Sequence, residues 1–257
     1  MEKVVLKKEG KYIYCIIASK EAESFGSIGI GGRGDELQTI LYKDIAAVVS
    51  NSPIISYTVS RENMLAHEKA IEEVMKKYTV LPVRFCTIAQ DEDKVKKILE
   101  KEHDKFADLI KNMEGKKELG LRAIFKEDVI YKEISENYED IKKLKKALLS
   151  EPPAKTYYLR VEVGRKVEAA LTEEKDARKE EILNTLSPLA IDTKVNTPYG
   201  ELTIINAAFL VENAKEAEFD RNVQAIADKY DDKIKFKYVG TLPPFNFVNL
   251  VIETGKY

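Results

Sequence analysis

Tryptophan is missing from this 257-residue chain, which also has only two cysteines, two histidines and four methionines. Without tryptophan, cores and contact surfaces must rest on thirteen tyrosines and nine phenylalanines. Cys15 and Cys86 lie far apart in apolar, strand-like runs with no C-x-x-C spacing, which predicts reduced core residues rather than a disulfide or a metal pair. His67 and His103 are too few for a multi-histidine site. The position four after His67 is Ile71, so the two-histidine zinc arrangement on a helix is excluded. No apolar run approaches the roughly 20 residues that span a bilayer, and no apolar segment follows the basic start. These features predict a cytosolic protein. A net charge of −2 argues against bulk attraction to nucleic acid or anionic membrane, although a local basic face stays open.

What the chain does have is 44% hydrophobic and 33% charged residues, enough for two domains with real cores. Its organising stretch is Ser60 to Thr87. Met64, His67/Glu68, Ile71, Val74/Met75 and Tyr78 recur at helical spacing after an N-capping Ser60, predicting a helix over Arg61 to Lys77. The run Val80-Leu81-Pro82-Val83-Arg84-Phe85-Cys86 then reads as a buried strand with one arginine. Earlier strands are predicted at Tyr12–Ala18, Leu37–Tyr42 and Ile45–Ser50, with a glycine-rich loop after the first. Asp91 to Met113 reads as one helix ended by Gly115, where a domain boundary falls. Beyond it come a strand at Leu119–Lys126, a lysine-rich helical segment at Asp128–Ser150 and one long helix within Ala154–Leu186. A hairpin at Leu189–Val195 and Leu202–Val211, a helix at Ala214–Tyr230 and a strand at Ile234–Tyr238 follow. The order is βαββαβ, that of a ferredoxin-like sandwich with extra helix in its first crossover. The predicted architecture is α+β in two domains. Residues 1–115 form a mixed α+β domain completed by a last strand from the tail 241–257, and residues 116–240 form the ferredoxin-like domain.

Little else resembles chemistry. Gly29-Ile30-Gly31-Gly32-Arg33-Gly34 matches G-x-G-x-x-G, but no strand ends directly before it and no helix opens directly after, so a turn is the better reading than a dinucleotide site. His67 sits beside an apolar stripe with no partner nucleophile in view. A hydrogen-bonded histidine at a domain or subunit contact is favoured over a catalytic one. Arg84 has two open readings: a structural pair with Glu68 or Glu72, or a contact to an anion or a partner peptide. Lys142, Lys143, Lys145 and Lys146 read as a solvated helix face. No cofactor, metal or catalytic constellation is expected.

The ordered set of motifs resembles the GvpF/GvpL family of gas vesicle proteins. That family carries a His-Glu helix followed by Leu-Pro-Val-Arg-Phe-Gly-Thr. Here His67-Glu68 is followed by Leu81-Pro82-Val83-Arg84-Phe85-Cys86-Thr87, with cysteine where glycine is usual. Tyr12-Ile13-Tyr14, Ile28-Gly29-Ile30-Gly31-Gly32, Ile45-Ala46-Ala47-Val48-Val49-Ser50 and Glu118-Leu119-Gly120-Leu121 resemble further landmarks. So do Asn206-Ala207-Ala208-Phe209-Leu210-Val211 and Pro243-Pro244-Phe245-Asn246-Phe247-Val248. Thr241-Leu242 replaces the usual Pro-Trp, and Phe245 a tyrosine. The resemblance implies a non-catalytic accessory protein of gas vesicle assembly, in the cytoplasm and at the vesicle. It implies binding to the small hydrophobic shell protein GvpA and to other Gvp accessory proteins. His67, Arg84, Phe85, Phe245 and Phe247 are the expected partner-binding residues. The rival reading is a small-molecule-binding regulatory module built on the ferredoxin-like domain.

Overall fold

Strand β1 (Glu9–Ala18) is β-branched and aromatic over most of its length and is buried on both faces. In this computed structural model, which describes residues 8–152 and 155–256, it forms the middle of an antiparallel sheet. On one side it pairs with β3 (Ile45–Pro53), which pairs in turn with β2 (Gln38–Tyr42). On the other side it takes β4 (Val80–Pro82) and then β5 (Ile88–Ala89). The register against β3 slips between Ile13 and Cys15, a bulge that leaves Tyr14 without a Cα partner on that side. Helix α1 (Arg61–Met75) covers the sheet with His67, Ala70, Ile71 and Val74, and Ser60 caps it by accepting from the Asn63 N–H.

The helix expected over Asp91–Met113 is two helices. α2 (Glu92–Lys101) ends at Glu102, where φ/ψ of −102°/9° breaks the ladder, and α3 (His103–Met113) restarts at once. The break sets the His103 ring 2.6 Å from Asp44 in the β2–β3 turn, a tertiary contact that periodicity cannot report. The strand expected over Val80–Cys86 stops at Pro82.

Contacts divide the chain into two units: residues up to Glu118 together with the tail from Thr241, and Leu119–Gly240. The second unit is built on β6 (Lys116–Phe125), α4 (Glu127–Asn137), α5 (Glu139–Ser150), α6 (Tyr157–Leu186), β7 (Asp192–Val195), β8 (Thr203–Glu212), α7 (Glu216–Lys229) and β9 (Ile234–Leu242). The sheet order β7-β8-β6-β9 is the ferredoxin-like one, with the first crossover enlarged to three helices. The lysine-rich helical segment splits at Tyr138, whose ψ of 103° is extended. Leu121, Ala123 and Phe125 of β6 pack with Phe209, Phe219 and Ile234 in this unit's core.

Beyond Leu242, where β9 ends, the tail contains no strand among its described residues, contrary to expectation. Pro243 and Pro244 bring no backbone N–H, and the amides of Phe247 and Val248 both fold back onto the Pro244 carbonyl, at 3.2 and 2.8 Å. The segment is a turn followed by extended chain that buries Val248, Leu250 and Ile252 without a ladder. A carboxylate fastens it. Glu118, 2% exposed, accepts from the Asn246 backbone N–H at 3.0 Å and from its Nδ2 at 2.6 Å. Burial raises the pKa of Glu118, and the two donations from Asn246 pull it back. Charge-assisted bonds of this kind contribute more than neutral ones. Glu118→Ala should therefore cost the first unit about 1–3 kcal/mol in a denaturant melt. Asn246→Ala should add little once Glu118 is gone, and fully additive losses would show that the two residues do not act as a pair.

Candidate functional site

Where β4 gives way to β5, the chain leaves the ladder for Arg84, Phe85 and Cys86. It is anchored on both sides by bonds to β1, from Val83 N–H to the Tyr14 carbonyl and from Ile13 N–H to the Thr87 carbonyl, each 2.9 Å. Cys86 has φ of +64°, in the left-handed region that favours glycine. This is the position where the resemblance leads one to expect Gly. The conformation rotates the Cys86 N–H inward, where it donates to the Tyr12 hydroxyl at 2.8 Å.

That hydroxyl is 3.1 Å from Nδ1 of His67, and Nε2 of the same ring is 3.1 Å from the Val83 carbonyl. A carbonyl only accepts, so Nε2 carries the proton, Nδ1 is the lone-pair nitrogen, and Tyr12 donates to it. The bonds run in one direction, from Cys86 N–H through Tyr12 and His67 to Val83, and join β1, α1 and the loop. His67 is 2% exposed, and burial lowers its pKa from 6.5 to about 4, with the Val83 bond opposing. The imidazole is neutral near pH 7.

A second chain of bonds lies alongside. The Tyr14 hydroxyl accepts the Ile30 N–H at 2.6 Å and lies 2.9 Å from Ser50 Oγ, and burial pushes its pKa up to about 12. The glycine-rich segment is thus a turn whose buried Ile30 closes the core. Gly31 has φ of +82°, and a Cβ there would stand 3.2 Å from the Tyr57 ring.

The five residues singled out from sequence fall as follows. Phe85 is half-buried and Phe245 is 42% exposed, and their rings lie 5.8 and 6.2 Å from His67. Phe247 is half-buried in the same tail turn. Arg84 is not a buried guanidinium and does not pair with Glu68 or Glu72. The strand ends before it, so it is exposed, with Nη2 3.4 Å from Asn249 Oδ1 of the tail. The structure therefore brings His67, Phe85 and Phe245 together, and it sets Arg84 against the same tail through Asn249.

Sequence reasoning missed Tyr12 and Tyr14 as polar partners, although two hydroxyls in an otherwise apolar strand signal buried acceptors. It also missed Glu118, a lone acid at the head of a strand. Open depressions of about 440 Å³ beside Lys20, Glu23, Asp44 and Tyr78, and of about 350 Å³ beside Arg122, Tyr131, Tyr199 and Glu201, include none of the five residues. Among the described residues no cluster of three His, Cys, Asp or Glu could hold a metal, and no helix is long and apolar enough to cross a membrane.

A sequence model described as gas vesicle synthesis protein GvpL/GvpF matches residues 10–249. Gas vesicle protein F of Dolichospermum flosaquae is 26% identical over 242 residues, covering 93% of this chain and 97% of that protein. Gas vesicle protein F1 of Halobacterium salinarum is 24% identical over 249 residues, covering 95% of each. The crystal structure of the gas vesicle protein GvpF from Anabaena superposes with a TM-score of 0.78 at 23% identity, over 94% of this chain and 99% of that one, so the fold is shared.

Two outcomes test the site. His67 has a lower pKa folded than unfolded, so the unfolded chain binds the proton first as pH falls. Its contribution is complete above about pH 6.5, declines through the interval down to about 4, and amounts to about 3 kcal/mol lost below it. Glu118, with its raised pKa, works in the opposite sense. The histidine's share is therefore the difference between the wild type and His67→Gln, and equal pH slopes in the two would contradict the assignment. At the loop, Cys86→Gly should keep or raise stability, whereas β-branched Cys86→Val should lose about 1–2 kcal/mol to left-handed strain. Equal melting of the two variants would remove the strain argument.

Proposed function

The chain belongs to the GvpL/GvpF family of gas vesicle synthesis proteins, and from that membership we propose that it serves gas vesicle formation as a non-catalytic escort. It binds the small hydrophobic shell protein GvpA and other Gvp accessory proteins, in the cytoplasm and at the growing vesicle. An apolar wall subunit is aggregation-prone until it is packed, and a soluble partner with an apolar contact face can hold it.

The observation that carries this reading is the aromatic face around His67. Phe245 stands 42% exposed over the His67 ring, Phe85 lies beside it, and Arg84 rims the same tail. Met64, 41% exposed, precedes His67 by one turn of α1 on the same side. His67 itself is too buried to touch a partner, and its role is to hold the rings. Strand addition is the less suitable mode. The start of the outer edge of β2 is occupied by the segment from Glu23 to Gly26, through the bridge of Ser24 to Gln38 and the Thr39 N–H to the Glu23 carbonyl. The opposite edge is interrupted by the Arg84–Cys86 excursion. A short apolar helix laid across side chains fits better.

The test is titration of a GvpA-type shell peptide against the wild type, Arg84→Glu and Phe245→Ala. Removal of an exposed aromatic anchor should weaken binding by about tenfold or more with melting unchanged. Undiminished binding by both variants would move the contact elsewhere, and absence of binding by the wild type would end the proposal.

A further inference from the structure

Basic residues in the second unit are gathered along the hairpin of α5 and α6. Residues 142–166 hold eight lysines and arginines against two glutamates, whereas the rest of Leu119–Gly240 carries a net charge of −8. The ion pair between Lys166 Nζ and Asp140 Oδ2, at 2.5 Å, sets α5 antiparallel against α6. Nine residues along α5 from Asp140 stands Leu149, and nine residues back along α6 from Lys166 stands Tyr157, so both lie at the far end of the helical hairpin. Apolar side chains meet solvent there: Leu149 is 89% exposed, Tyr157 68%, Tyr158 83% and Val161 55%. Lys146 and Arg160, each one turn from these residues, are exposed beside them, and no carboxylate pairs with either among the described residues. Exposed rings and aliphatics with a charged rim have the composition of a contact surface.

We propose that this tip docks on the acidic side of the same unit in a second copy of the chain. Charge selects the occupant. A nucleic acid drawn to the tip would be repelled by the −8 behind it, while that same imbalance attracts another copy head to tail. One stretch of exposed acid lies where α7 begins, ending at the exposed Arg221. Glu212, Glu218 and Asp220 are exposed there with Lys215 as the one cation between them. Asp220 accepts from the Tyr238 hydroxyl of edge strand β9 at 2.5 Å, which fixes it beside that strand. Because tip and acceptor are different surfaces, the contact is heterologous and repeats from copy to copy. It involves neither His67 nor the tail, so it stands apart from the escort role.

Sedimentation velocity of the full chain over a concentration series tests this. It compares about 0.01 M salt, where charges act across roughly 30 Å, with about 1 M salt, where they act across roughly 3 Å. The average mass should rise with concentration at low salt and return to the monomer at high salt. Lys146→Glu/Arg160→Glu and Glu212→Lys/Glu218→Lys should each weaken association by about tenfold or more without changing the melt, since all four positions are exposed. Mixing the two variants should restore association, because every tip then finds an acceptor of opposite sign. A wild type that stays monomeric at low salt, or a mixture that recovers nothing, overturns the proposal. So does a monomer whose tip instead carries it onto phosphatidylglycerol vesicles, which would assign the surface to lipid headgroups.

Discussion

A neutral imidazole with a fixed direction of hydrogen bonding is the constraint on which the first unit depends. His67 has one donor and one acceptor, and the fold supplies one partner for each: the Val83 carbonyl and the Tyr12 hydroxyl. Tyr12 in turn has its lone pair occupied by the Cys86 amide. A buried polar network helps specify a structure only when every member is satisfied, and this one is satisfied by three separate segments. The excursion of Arg84, Phe85 and Cys86 out of the sheet is therefore part of the hydrogen-bond scheme. It exists because the amide of Cys86 has to turn inward, which requires the left-handed backbone found there.

The two histidines show how far placement decides chemistry. His67 is pushed toward neutrality by burial. His103, bonded to Asp104 and Asp44 at the surface, has its pKa raised by those two carboxylates. Neither belongs to a group of three or more His, Cys, Asp or Glu that could hold a metal ion among the described residues. Both rings work as joints, one inside the core and one between α3 and the β2–β3 turn. The same holds for Glu118, a buried carboxylate whose acceptors are used to fasten the tail.

Much of this was legible in the residues. The βαββαβ order follows from periodicity, because apolar spacing reports which face meets a core, and the strand at Tyr12–Ala18 follows from its β-branched and aromatic run. What stayed hidden depends on partners distant in sequence. Glu118 and Asn246 are separated by most of a domain, so no local pattern announces their bond. Arg84 looked buried because its neighbours are apolar, but Pro82 ends the strand and lets the guanidinium out. The break at Glu102 and the turn at Phe245–Val248 were read as regular elements for the same reason: apolar spacing continues through them while the backbone does not.

The proposed escort role and the buried network meet at one point. Phe85 and Phe245, the rings proposed to meet a partner, lean on a histidine whose orientation is set from below. If that orientation is the foundation, the ring nitrogens must show it directly. Nitrogen-15 NMR of the imidazoles in the full chain near pH 7 should find His67 neutral with the proton on Nε2 and the lone pair on Nδ1. A His67 resonance of the opposite tautomer, or of the imidazolium, would contradict the account.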